Sequence, residues 1–142
     1  MSRSAKYTTL IVVAHLLVNI AHGFAHRELR VGLTPSGSFF VIVVVLMLPL
    51  LAMGLVWTSK KQIGLVLLSA SMFAALMFGL YHHFLAAGPD HVHSQPSNSW
   101  GNIFALTAYA LFLTEALGSY VGIHYLRMRD RAANHIPSSP PQ

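Results

Sequence analysis

Histidines are the residues of this chain best suited to chemistry, because it contains nine of them and no cysteine. Imidazole binds transition metals and exchanges protons near neutral pH, whereas the lack of cysteine excludes disulfides and thiolate metal sites. His22 and His26 are four residues apart, the spacing at which two side chains on one helix reach the same ion. Together with His15 and Asn19 they fall within about 60° of one another on a helix, which predicts one polar stripe on an otherwise apolar segment.

A second group of histidines follows the third apolar segment. His82 and His83 are adjacent and therefore about 100° apart on a helix, so one of them is expected to face the other helices. The loop beyond carries Asp90, His91 and His93, and in an extended segment the two loop histidines project to the same side. Imidazole and carboxylate ligands suit zinc, copper, nickel or iron. The predicted ligands of one transition-metal ion are His22, His26, His82, His83, Asp90, His91 and His93.

A buried polar group is predicted below these histidines. Glu115 is the one acidic residue inside an apolar segment, and His15 and Asn19 lie at a comparable depth on the first segment. Polar groups at such depth are costly unless they have partners. We therefore expect Glu115 to pair with His15, assisted by Asn19 or Thr114, as an interhelical contact. A relay of protons or ions along the same row is the functional alternative.

Three other interpretations of the histidines remain open. A haem b held by two imidazoles needs one from each of two helices, and His22 or His26 opposite His82 or His83 would supply them; the surplus of histidines favours a bare ion. The spacing of His22 and His26 also resembles the histidine boxes of membrane desaturases and hydroxylases, which bind two irons, but the repeated HxxHH boxes are absent. The third interpretation is that the chain is a structural subunit of a larger membrane complex and binds no cofactor. Enzyme activity is left undecided by the sequence.

The elements that position these residues are membrane-length helices. The chain is 54% hydrophobic and only 9% charged, and about 20 apolar residues cross the hydrocarbon core of a bilayer. The pattern predicts an all-α fold, a four-helix transmembrane bundle that forms a single domain over residues 1–135, followed by a disordered tail at 136–142. The four apolar runs are 8–25, 39–57, 63–84 and 103–125.

The distribution of basic residues predicts the orientation. Lys60, Lys61 and the basic residues near both termini lie at one end, whereas the other end has only Arg27 and Arg30. The positive-inside bias then places both termini in the cytoplasm and the long loop between the third and fourth helices outside. We expect a multi-pass protein of a bacterial or archaeal cytoplasmic membrane. Its predicted partners are the lipid bilayer and a homo-oligomer, packed through Gly118 and Gly122, or a larger membrane complex, and no nucleic acid.

Overall fold

The computed structural model describes residues 2–134, and within this range the chain is helical with no strand. Its four long helices are named here α1 to α4. Helix α2 continues through π-helical turns at Val41–Met47, and α3 ends in a π-helical turn at Tyr81–Leu85. The bounds are Arg3–Glu28 for α1, Pro35–Leu55 for α2, Lys61–Leu85 for α3 and Ser99–Asn134 for α4.

Short polar side chains fix where the helices begin. The Ser2 hydroxyl accepts a hydrogen bond from the backbone N–H of Ala5 at the start of α1. Thr34 does the same for Gly37 at the start of α2, where Pro35 occupies the first turn. These contacts satisfy backbone donors that have no partner inside the helix.

Helix α4 packs mainly on α1 and α3, and α2 packs on α3. At one end of the bundle, Ala5 of α1 clusters with Val56 and Leu65, next to Tyr125 of α4. At the opposite end, Ala25 clusters with Val92, Phe104 and Ala108. Successive helices therefore run in opposite directions. The first residues of α1 and the last described residues of α4 lie at the same end of the bundle.

The outer surface of the bundle is strongly apolar. Leu17, Phe39 and Leu106 are 62%, 69% and 70% exposed, and many other large apolar side chains are exposed with them. All four helices are long and apolar enough to cross a membrane, which confirms the all-α prediction with four spans. The inward placement of the termini and the outward placement of the loop remain predictions, and the tail at 136–142 lies outside the described residues.

Gly118 and Gly122 are used inside the bundle. A Cβ atom on Gly118 would lie 2.8 Å from Cγ of Met72, and one on Gly122 would lie 2.8 Å from the carbonyl oxygen of Leu65, both on α3. The two glycines thus allow α4 to approach α3 closely within one chain. A homo-oligomer stays a prediction, but these residues are no longer its basis.

Candidate metal centre

Three histidines from two helices converge at the end of the bundle that carries the long loop. Nε2 of His22 lies 3.2 Å from Nε2 of His26 and 3.3 Å from Nε2 of His83. Each residue offers one ligand atom, and these three atoms lie within 4.8 Å of one another. His22 and His83 are buried, and His26 is partly exposed. We call these three residues the histidine cluster.

The π-helical turn at the end of α3 decides which of the two adjacent histidines enters the cluster. It runs over Tyr81–Leu85 and closes with a hydrogen bond from the N–H of Ala86 to the carbonyl of Tyr81, 2.7 Å long. Within it His83 is buried beside His22, whereas the ring of His82 lies 4.4 Å from the ring of Phe78, outside the cluster. The structure therefore brings His83 to the site and places His82 elsewhere. Such turns are frequent at functional sites.

The Nδ1 atom of His22 is held by Thr107 on α4. Its distance to Oγ1 of Thr107 is 2.8 Å. That hydroxyl donates its own proton to the carbonyls of Ile103 and Phe104, at 2.6 and 3.0 Å. Since the proton of Thr107 is engaged, Oγ1 accepts and Nδ1 of His22 donates. His22 therefore carries its proton on Nδ1 and a lone pair on Nε2.

Backbone carbonyls hold the Nδ1 atoms of the other two rings. Nδ1 of His26 donates to the carbonyl of Val31 and Nδ1 of His83 to the carbonyl of Asp90, both at 3.0 Å. The first contact depends on Arg30, whose positive φ of 55° turns the chain back over the end of α1. Because a carbonyl only accepts, both rings also carry the proton on Nδ1. Metal-binding histidines are typically oriented by such contacts.

The consequence is that the Nε2 lone pair of His22 meets those of His26 and His83. Unprotonated Nε2 atoms at 3.2 and 3.3 Å have no hydrogen to share, so the arrangement favours a cation between them. A tetrahedral zinc ion with bonds of about 2.0 to 2.1 Å keeps its nitrogen ligands about 3.3 to 3.4 Å apart. The spacing in the histidine cluster agrees with that geometry.

Asp90 supplies a carboxylate beside the cluster. Its Oδ1 lies 3.4 Å from Nε2 of His26 and 3.2 Å from Nδ1 of His83. The Nδ1 proton of His83 points to the backbone carbonyl of Asp90, and both carboxylate oxygens are buried without an aligned hydrogen bond. A buried carboxylate without a donor is costly, and a metal ion would compensate it. Asp90 is therefore the candidate fourth ligand.

The pKa of Asp90 fits this role. Burial by itself raises the pKa of this carboxyl, but the interactions with His83, His26 and His22 outweigh burial, and the pKa lies below its ordinary value. The side chain is thus ionised at neutral pH, as a metal ligand must be.

The two loop histidines lie apart from the cluster. His91 is followed by a 3-10 turn at Val92–Ser94, so the segment is not extended as the sequence analysis assumed. Nε2 of His91 donates to the carbonyl of Phe84 at 3.2 Å, and its Nδ1 accepts the N–H of His93 at 3.2 Å. His93 is exposed. With both nitrogens of His91 engaged, the contribution of this segment to the site is the carboxylate of Asp90.

His15 has a partner that the sequence analysis did not foresee. Its Nε2 lies 3.0 Å from the carbonyl of Val45 on α2. Pro49 has no N–H to donate to that carbonyl four residues earlier, so the imidazole supplies the missing donor. Asn19 donates to the carbonyl of His15 at 3.0 Å. His15 and Asn19 thus form a structural contact between α1 and α2.

Glu115 faces the histidine cluster rather than His15. A Cβ atom on Gly79 would lie 3.7 Å from Oε2 of Glu115 and 3.8 Å from Cδ2 of His83. Thr114 donates to the carbonyls of Ala110 and Leu111 on its own helix. Within residues 2–134, the ring of His15 donates to Val45, its backbone carbonyl accepts from Asn19, its Nδ1 has no partner, and the expected pair with Glu115 does not form.

Sequence reasoning missed Thr107 and Phe104. The ring of Phe104, 0% exposed, lies 4.7 Å from the ring of His22 and 5.0 Å from that of His26. Thr107 is one of few hydroxyl residues in its apolar run, and this was the available signal. Phe104 gave none, because an aromatic residue in such a run is ordinary.

Comparison of the chain with protein-family models, curated proteins and solved structures found no match. The chemistry of the site is therefore inferred from its own geometry.

Proposed function

We propose that this chain is an integral membrane protein that binds one transition-metal ion through Nε2 of His22, His26 and His83, with Asp90 as the fourth ligand. The observation that carries the proposal is that Nε2 of His22 lies 3.2 Å from Nε2 of His26 and 3.3 Å from Nε2 of His83, while every Nδ1 proton is engaged elsewhere. Three imidazoles with a carboxylate beside them suit zinc best, and copper, nickel and iron also accept these ligands.

The same geometry favours a bare ion over haem b. The two axial imidazoles of a haem lie on opposite faces of the porphyrin, with the ring between them. Here Nε2 of His22 is 3.3 Å from Nε2 of His83 and 3.2 Å from Nε2 of His26, which leaves no space for a porphyrin plane. A third imidazole and a carboxylate beside them have no role in haem ligation.

The site lies at the end of the bundle opposite to the first residues of α1 and the last described residues of α4. In the orientation predicted from the basic residues this is the outer end, so the ion would arrive from outside the cytoplasm. Metal handling, sensing and catalysis are all compatible with such a site. We place the protein in the cytoplasmic membrane of a bacterium or archaeon on the same basis.

Elemental analysis and an absorption spectrum of one detergent-purified sample test the proposal. We expect close to one equivalent of metal and no Soret band. The variant His83→Ala should lose the metal, and the matched variant His82→Ala should keep it, because His82 lies outside the cluster. A Soret band would support haem instead. Metal-free protein that regains no ion on titration with zinc, copper, nickel or iron would leave the structural-subunit interpretation.

A further inference from the structure

A cavity of about 350 Å³ adjoins the histidine cluster. It lies between the four helices, and most of its wall is apolar, including Leu16, Val45 and Phe112. All three cluster histidines and Asp90 also line it, so an ion bound to them would face the cavity. At about 30 Å³ for each non-hydrogen atom, as in liquid water, the space accommodates about a dozen such atoms.

Glu115 is the second polar feature of this cavity. Its side chain lines the wall and is only 4% exposed. Within residues 2–134 the hydrogen bond of Glu115 is to its backbone carbonyl, from Ser119, and its carboxyl group has no hydrogen bond and no ion pair. Unpartnered carboxyl groups at membrane depth are costly and mark functional sites. A ligand that donates a hydrogen bond would give Glu115 the partner that the protein does not supply.

Gly79 leaves the space between Glu115 and the cluster. The point where its Cβ would stand is 3.7 Å from Oε2 of Glu115 and 3.8 Å from Cδ2 of His83. The missing side chain at Gly79 therefore leaves room for a ligand to pass between Glu115 and His83. The cavity is also accessible: Ile20 on its α1 wall is 49% exposed, and Gly23 beside it is exposed as well. Since the surface there is apolar, the ligand would enter from the membrane.

We infer that the cavity binds an apolar molecule with a terminal hydroxyl group, whose oxygen becomes the fifth ligand of the metal ion and whose O–H donates a hydrogen bond to Glu115. This inference rests on the proposed metal site. A hydroxyl group satisfies both partners at once, because it has a lone pair and a proton. A terminal carboxylate would instead be repelled by the carboxylate of Asp90. The apolar wall favours an alkyl chain, and the volume of the cavity limits the whole ligand to about a dozen non-hydrogen atoms.

The test uses cobalt(II) in place of the native metal, because its visible spectrum reports changes in coordination. Cobalt-loaded protein in detergent is titrated with 1-octanol and, separately, with octanoate. We expect saturable spectral changes with octanol at lower concentration than with octanoate. In Glu115→Leu, cobalt should bind as before and octanol should bind about tenfold more weakly, because the hydrogen-bond acceptor is lost.

A variant that fills the cavity supplies the second measurement. Gly79→Leu should abolish the response to octanol while cobalt binding is retained. The matched control Gly54→Leu should respond like the original protein, since no atom lies within 4 Å of the position of its Cβ. Helical content by circular dichroism identifies any variant that fails to fold, and Glu115→Leu then decides alone.

The outcomes separate the two proposals. Protein that binds no cobalt overturns the metal site and this inference with it. Cobalt that binds with a spectrum insensitive to octanol overturns the inference and leaves the metal site standing. An undiminished response in Gly79→Leu, or equal affinity for octanol and octanoate, also overturns the inference.

Discussion

His15 and His22 are two buried histidines on the same helix, seven residues apart, with different surroundings. Nε2 of His15 lies against a backbone carbonyl of α2, which Pro49 leaves without its usual donor. Nε2 of His22 lies against two other Nε2 atoms. Burial does not distinguish the two residues, because they are 1% and 6% exposed.

The two histidines differ in the groups that their ring nitrogens contact. A histidine whose Nε2 donates to a carbonyl stabilises the bundle, since it satisfies a group that lipid cannot. A histidine whose Nδ1 proton is engaged and whose Nε2 meets only acceptors is suited to a cation. Burial of a polar residue in a membrane helix is therefore not enough to predict a ligand; the partners of both nitrogens are needed.

Alanine substitution separates the two histidines most sharply. His22→Ala removes a ligand and should lower metal affinity by more than about 100-fold, which exceeds the loss usual for residues that only orient ligands. His15→Ala should leave the affinity unchanged. Competition with a chromophoric chelator measures both values. Equal losses in the two variants would mean that the His22 site is not where the metal binds.

Acid pH should remove the ion from the metal site. Each imidazole ligand must lose its proton to bind a metal ion, so protons compete with the metal and occupancy should fall between about pH 7 and pH 5. The pKa of Asp90 is lowered, so its carboxylate stays ionised through this window and is lost as a ligand only at lower pH.

Dialysis of loaded protein at graded pH, followed by elemental analysis, checks this. Occupancy that is constant from pH 7 to pH 5 would contradict binding by the imidazoles. The variant His15→Ala is the control, and its curve should coincide with that of the original protein.

Thr107 should matter to the metal site through His22. Thr107→Val keeps the shape but removes the acceptor of the Nδ1 proton, and loss of such an orienting contact typically costs 10 to 100-fold in affinity. Thr107→Ser retains the hydroxyl and is the matched control. The chelator competition measures both. If valine and serine variants bind equally well, the 2.8 Å contact does not orient the ring.

The smallest effect is expected for the stability contributed by His15. His15→Ala leaves the carbonyl of Val45 without this donor and should lower the free energy of unfolding by about 0.6 to 1.7 kcal/mol, the range for interhelical hydrogen bonds in membranes. Pro49→Ala returns a backbone N–H that can reach the same carbonyl. In that background the cost of His15→Ala should vanish.

Thermal unfolding of metal-free protein measures this double-mutant cycle. A cost of His15→Ala that is the same with Pro49 and with alanine at that position would show that the proline does not create the need for the imidazole.

The four helices were predictable because their signal is additive along the chain: each has enough apolar residues to cross a bilayer, and a few misplaced residues do not change the sum. Convergence of His22 and His26 was predictable for a similar reason, since four residues bring side chains to one face of any α-helix.

The partners across the bundle were not predictable from spacing. The choice of His83 over His82 depends on the π-helical turn, which shifts the register of α3 by an amount that helical periodicity does not contain. The partner of His15 depends on the fit of α2 against α1 at Val45. Predicting it required combining the missing N–H of Pro49 in one helix with a histidine in another, and the apparent match in depth with Glu115 gave a different pair.

The π-helical turn at Tyr81–Leu85 also connects metal binding with the path of the chain that follows α3. An extra residue in one turn twists everything beyond it by about 100° relative to an uninterrupted α-helix, and Asp90 and the long loop follow directly after this turn. An ion that fastens His83 to α1 would hold that twist in place. Loss of the ion would release this restraint. The metal would therefore fix the twist at the end of α3 and the direction in which the loop leaves the helix.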